Sequence, residues 1–311
     1  MAQVHAGHAI EPAGDVVALL GEGPYWDEAD TSLLWVDIPA GLLHRTAVGS
    51  GETVTVDVGA PLSAALPATG GDVLLARRNQ LVLRTAAADG GWSERVVAQT
   101  ADRAEVRFND ASVDPAGRVW VGSMHTAETA AVGELYRLDP GGALTALLTG
   151  VTVSNGLGWS PDGSRMYYVD STTRRIDMFE YYPAVGGLAH RQVFADLRDA
   201  GGMPDGLTVD ADGCVWVAIW GGSALRRYTP AGDLDAIVDL PVSNPTSCAF
   251  GGAGLQDLYV TTAIQPLSEA QRLHQPLAGR LLRLRPGPAG LPSASTVATI
   301  PPDPSSHDCV R

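Results

Sequence analysis

The sequence predicts an all-β fold, a six-bladed β-propeller with four antiparallel strands per blade, on three observations. A strand–turn–strand unit ending in a paired apolar run recurs six times, at Trp35-Val36, Leu74-Leu75, Trp120-Val121, Tyr168-Val169, Trp216-Val217 and Tyr259-Val260. The spacing of about 40 to 50 residues, with room for four short strands, is that of propeller blades. Gly/Asp-rich clusters such as Asp210-Ala211-Asp212-Gly213 precede these runs and supply tight turns. Finally, 45% hydrophobic and 18% charged residues, with 36 Gly and 21 Pro, suit many short strands and are too apolar for disorder.

Residues 1 to 14 read as a polar, flexible tail in which His5 and His8 carry no ligand pattern. Val16 to Leu20 reads as a strand and is predicted to be the fourth strand of the last blade, closing the ring so that no sheet edge is left open. Ser295 to Ile300 competes for that place. Further outer strands are predicted at Thr53–Val58, Arg95–Ala98, Leu144–Leu148, Gln192–Leu197 and Leu234–Leu240. The long connection from Thr262 to Gly279 is placed to roof one end of the axis. One propeller domain is expected over 15–300, followed by a C-terminal tail over 301–311.

With 21 Lys+Arg against 35 Asp+Glu, the net charge of −14 disfavours a nucleic-acid partner. The N-terminus lacks the basic start and apolar segment of a secretory signal, and no stretch reaches the roughly 18 apolar residues of a membrane helix. Cys214, Cys248 and Cys309 show neither zinc nor disulfide spacing, and Cys214 and Cys248 read as buried thiols of a reducing compartment. A cytoplasmic protein with no membrane or protein partner is expected. Asp210-Ala211-Asp212-Gly213 begins like a calcium loop but lacks the later EF-hand ligands, so it reads as a hairpin turn. Gly-x-Ser-x-Gly and His-Glu-x-x-His are both absent, and the seven His form no pair at a ring position.

Counting back from the apolar pairs, Glu22, Asn109, Asn155 and Asp205 stand twelve to fourteen residues upstream, at the entry to the innermost strands of blades 1, 3, 4 and 5. Two carboxylates and two amides converging on the axis form an all-oxygen set suited to a hard divalent cation. Calcium is the first choice, with magnesium, manganese, iron(II) or zinc compatible. Blades 2 and 6 offer Ser63 and Asn244-Pro245-Thr246-Ser247 at the corresponding places. Taken singly, each of these residues also fits a turn or strand start, Asn155-Gly156 above all.

Gly21-Glu22-Gly23-Pro24, Arg107-Phe108-Asn109-Asp110, Ser154-Asn155-Gly156-Leu157 and Pro204-Asp205-Gly206 resemble the metal-site motifs of the regucalcin/gluconolactonase/luciferin-regenerating-enzyme family. Ser247 to Gly252 and Gln275 to Gly279 extend the likeness, which spans roughly residues 16 to 286. The resemblance implies a propeller with one divalent ion on its axis, hydrolysing a sugar lactone to the aldonic acid. It implies Glu22, Asn155 and Asp205 as ligands with Asn109 at or near the ion, Arg107 and Asn109 on the substrate, and Asp205 as the base. Where some relatives carry a substrate-contacting glutamate this chain has Ala127, with Glu128 one place on and His125 two places before. Glu128 and His125 are therefore candidate substrate contacts, and His125 equally fits a loop cap. Trp220 is placed either to stack on the sugar or to fill the core between blades. Two other readings stand beside the lactonase: a propeller hydrolase of another ester or organophosphate, and a calcium-binding propeller without turnover.

Overall fold

A computed structural model describes residues 9–87 and 90–294, and it shows six four-stranded antiparallel sheets around one axis. The first five are sequential: blade 1 runs from Gly21–Asp27 out to Thr53–Asp57, blade 2 from Leu62–Pro67 to Trp92–Gln99, and blade 3 from Val106–Val113 to Leu144–Val151. Blade 4 runs from Ser154–Trp159 to Gly187–Asp196, and blade 5 from Met203–Val209 to Leu234–Asp239. The predicted outer strands of blades 2 and 3 fall within the observed ones, and those of blades 1, 4 and 5 overrun the observed ends by one residue.

The second strand of each blade is sandwiched between neighbours. In Ser32–Asp37 and Asp257–Thr262 every residue is buried. These segments therefore read as unbroken apolar runs rather than alternating ones, which is why they marked the repeat. Trp35, Trp120 and Trp216 are their largest buried side chains. The hairpin aspartates that introduce two of these strands are fully employed. Asp210 accepts N–H bonds from Asp212 and Cys214 and takes the Trp216 indole at 2.9 Å, while Arg227 lies 2.7 Å away. Asp114 treats Ala116, Arg118 and Trp120 in the same way.

Closure of the ring departs from the expectation. Blade 6 consists of Pro245–Gly251, Asp257–Thr262 and Leu282–Leu284, and its fourth strand is Glu11–Pro12, inside the segment predicted as a tail. Val16–Leu20 is instead the connection into blade 1. The Asp37 carboxylate accepts the N–H groups of Leu19 at 2.8 Å and Leu20 at 3.2 Å, and the Ala18 N–H goes to Gly279 O. Its donors are thus consumed by a side chain and a loop rather than by a sheet ladder. The competing segment Ser295–Ile300 lies outside the described residues.

The connection from Thr262 to Gly279 carries a short helix, Glu269–His274, started by a capping box in which Ser268 and Gln271 satisfy each other's backbone. Gln275 anchors it by bonds to Ser243. Cys214 and Cys248 are buried free thiols, as expected, and Cys309 lies outside the described residues. Among the described residues, no helix is long and apolar enough to cross a membrane.

Candidate active site

In all six blades the register between first and second strands slips at the same place. The slips fall between Glu22 and Tyr25, Leu62 and Ala64, Phe108 and Ala111, Asn155 and Leu157, Pro204 and Leu207, and Pro245 and Ser247. A bulge releases its residues from the alternation of a strand and re-aims their side chains. Glu22, Ser63, Asn109, Asn155, Asp205 and Thr246 occupy or border these six bulges, and all are buried. Two glycines show how tightly the inner strands meet there. A Cβ on Gly156 would lie 2.7 Å from Asp205 O, and one on Gly206 would lie 2.1 Å from Ser247 Oγ. Asn155-Gly156 is accordingly part of a strand, not a turn, and its glycine is required by the neighbouring blade.

The amides are joined directly. Arg107 donates to Asn109 Oδ1 at 2.7 Å, and Asn109 Nδ2 donates to Ser154 O at 2.8 Å and to Asn155 Oδ1 at 3.1 Å. Asn155 Nδ2 in turn donates to Ser171 Oγ at 2.9 Å. Blades 2 and 6 spend their hydroxyls on structure. Ser63 donates to Phe108 O and Thr246 to Gly21 O, both at 2.6 Å, so each clasps a neighbouring inner strand.

The carboxylates are held under electrostatic strain. Burial, and then the charge of Asp110, pushes the Glu22 carboxyl up to about 8. Asp205 is raised well above the ordinary range by burial first, then by Glu22, Asp110 and Glu128. Asp205 Oδ1 is buried and has no hydrogen-bond partner. An unpaired buried carboxylate is costly, and two in mutual repulsion call for a positive charge. Arg107 supplies part of it, although burial lowers its own pKa against the opposing pull of Glu22 and Glu128. The donor chemistry fits a hard divalent cation: two carboxylates with spare lone pairs, one of them with an orphaned oxygen, and two amide carbonyls. Among the described residues, no three His, Cys, Asp or Glu form a metal site by themselves, so a cation on the axis would need the amides.

Asp110 was not among the sequence candidates. It shares the blade-3 bulge with Asn109, so both side chains turn inward where strand alternation predicts one. Burial raises it to about 7, and its Oδ1 accepts the Ala111 N–H. It faces a cavity of about 290 Å³ on the side of the ring away from Arg107, lined also by Tyr25, Trp159, Thr208 and Ser247 and bordered by Leu291–Ala294.

On the Arg107 side, the remaining candidates are distributed unequally. Glu128 is exposed in the loop after the second strand of blade 3, yet its charge is felt by both Arg107 and Asp205. His125 caps that loop, its Nδ1 accepting the Ala127 N–H at 3.3 Å, and the Glu128 N–H returns to His125 O. Trp220 pairs with Met203, two residues before Asp205, and is only half-buried. It stands at the same end of blade 5 as Asp205.

A six-bladed propeller with buried carboxylates and amides at its inner-strand bulges defines the class. The chain belongs to the SMP-30/Gluconolactonase/LRE-like family, whose pattern it matches over residues 20–264. It is 35% identical to the regucalcin of Gallus gallus over 285 residues, covering 88% of this chain and 93% of that one. To the pentonolactonase of Haloferax volcanii it is 36% identical over 262 residues, covering 80% and 83%. The crystal structure of a calcium-binding protein, regucalcin, from Agrobacterium tumefaciens superposes with a TM-score of 0.87 at 28% identity, covering 95% of this chain and 99% of that one.

Proposed function

We propose that the protein hydrolyses a neutral sugar lactone to its aldonic acid at the axial site, with a divalent cation held by Glu22, Asn109, Asn155 and Asp205. The observation that carries this reading is the buried, partnerless Asp205 Oδ1 amid mutually repelling acids, a costly arrangement unless a cation balances it. Lactonase activity is supported by the pentonolactonase among its relatives, and calcium by the regucalcin from Agrobacterium tumefaciens, described as calcium-binding. A bound dication at this place supplies Lewis acidity toward a carbonyl oxygen.

The chain's own residues do the rest. Asp205 is the residue placed to take the proton of the water that adds to the lactone carbonyl carbon, through the oxygen not engaged by the cation. A carboxylate that ligates a cation is a weaker base than the same group without it. Asp205 returns that proton to the ring oxygen as the acyl C–O bond breaks. One Arg107 nitrogen is committed to Asn109 and Phe108 O, which leaves the others to hold sugar hydroxyls and stabilise developing negative charge. Glu128 accepts from a hydroxyl at the mouth, and Trp220 offers an apolar face to the ring. His125 acts by holding the Glu128 loop rather than on the substrate. Glu22, Asp205 and Glu128 on one side, and Arg107 with a bound dication on the other, would balance in charge, which suits a neutral lactone.

The test is acid release in a pH-stat from a panel of aldonolactones, with phosphotriesters alongside, before and after chelation. Chelator-sensitive lactone opening is expected. Turnover confined to the phosphotriesters would move the assignment to another hydrolase, and no turnover with calcium bound would leave a binding protein.

A further inference from the structure

We propose that Ser171 is a positioning residue for the axial site: its hydroxyl fixes the Asn155 amide so that the carbonyl oxygen, not the nitrogen, is offered to the cation. The inference rests on the reading of the axis as a cation site. An amide ligand has an orientation problem that a carboxylate lacks, because only one of its two ends can bind a cation. The protein solves it with a one-way chain of hydrogen bonds. Arg107 can only donate, so Asn109 must turn Oδ1 toward it. Ser154 O can only accept, which fixes Asn109 Nδ2 on the opposite side, where it also meets Asn155 Oδ1. Asn155 Nδ2 is then directed away, and Ser171 Oγ receives it. With Nδ2 taken outward, Oδ1 is the end of the amide with a lone pair left for the axis.

Ser171 is built for this task. It is 3% exposed and opens the 3-10 turn that follows the second strand of blade 4. Its backbone is pinned on both sides, by its own N–H to Val153 O and by the Arg174 N–H to its carbonyl. The same backbone bond, from the residue after the second strand to the residue before the inner strand, recurs in four other blades: Ile38 to Leu20, Arg78 to Pro61, Thr126 to Glu105, and Ala263 to Asn244. Those equivalent positions hold isoleucine, arginine, threonine and alanine. In blade 1, where the ligand is the symmetric carboxylate of Glu22, an apolar side chain suffices. Of these five blades, blade 4 alone has a buried hydroxyl here that bonds the inner-strand amide; Thr126 is exposed, and the Asn109 amide of its blade is fixed instead by Arg107 and Ser154 O.

Calorimetric titration of the metal-free full-length protein with calcium tests this without relying on turnover. Wild type should bind one ion, and Ser171→Ala should bind it about 10 to 100 times more weakly, as expected when the support behind a ligand is lost. Ser171→Thr should stay within about threefold of wild type. Ser171→Cys, which keeps the volume but accepts hydrogen bonds poorly, should resemble alanine and guards against a packing defect. The decisive arm is Asn155→Asp, whose carboxylate needs no orienting. In that background, adding Ser171→Ala should weaken binding by no more than about threefold. Equal affinity of Ser171→Ala and wild type, or an equal loss in the Asn155→Asp background, overturns the positioning role alone. Absence of a calcium site in wild type, or one unaffected by Asp205→Ala, overturns the axial reading beneath it.

Discussion

Two pairs of buried acids in this propeller lead opposite lives. Asp114 and Asp210, in the hairpins of blades 3 and 5, are 0% exposed and saturated with donors: turn N–H groups, a tryptophan indole and an arginine. Glu22 and Asp205, at the inner-strand bulges of the same molecule, are also buried but poorly served. Glu22 has the neighbouring Gly23 N–H at 3.1 Å, and one oxygen of Asp205 has nothing. A buried charge that is fully hydrogen-bonded organises the fold, whereas one left in need is held at a cost to stability and points to what the fold is for.

The contrast should be sharpest in a pair of alanine substitutions. Asp205→Ala should lower lactonase kcat/KM by at least about 10³-fold, the combined loss of a base and of electrostatic support. Its metal-free form should melt no lower than wild type, since a repelling charge has been removed. Asp210→Ala should do the reverse. It strands Arg227, the Trp216 indole and two turn N–H groups, and denaturant titration should show a loss of about 3 to 5 kcal/mol. Turnover per folded molecule should be kept. If both variants lost stability and activity in parallel, the distinction between the two kinds of acid would fail.

His44 extends the comparison to a buried base. Its ring lies against Trp35 with centroids 4.2 Å apart, and Nδ1 is 2.8 Å from Thr55 Oγ1. Burial pushes its pKa down to about 4, with the Asp37 charge opposing. The unfolded chain, with an ordinary value near 6.5, therefore binds the proton first as pH falls. Stability from this group is present above about pH 6.5 and declines toward pH 4, by about 3 kcal/mol. His44→Gln should flatten that part of the stability–pH curve, and an unchanged slope would assign it to other groups. The smallest effect comes from the ion itself. Calcium at about 100 times its Kd should stabilise the protein by roughly 2.7 kcal/mol. Thermal melts should show this gain in Asp210→Ala and not in Asp205→Ala.

Much of this was legible in the chain because a propeller writes its geometry six times. The sandwiched second strands carry the period, and the period alone puts Glu22, Asn109, Asn155 and Asp205 in phase. What escaped was local. Glu11–Pro12 is too short to leave a periodic signal, while Val16–Leu20 has a strand's composition but gives its N–H groups to Asp37 and Gly279. Asp110 was hidden by a bulge that turns adjacent side chains the same way. Ser171 is distant in sequence from the motif it supports, so only register brings it behind Asn155. The Ser268 capping box falls inside the long connection from Thr262 to Gly279, where one short helix leaves no periodic signal.

The central claim is that one cation sits where the bulges of blades 1, 3, 4 and 5 converge. Anomalous diffraction from crystals soaked in manganese examines that point directly. A single strong peak within coordinating distance of Glu22, Asn155 and Asp205, with Asn109 at its edge, is the result this account requires. A peak elsewhere, with those side chains unmoved and the axis empty, would contradict it.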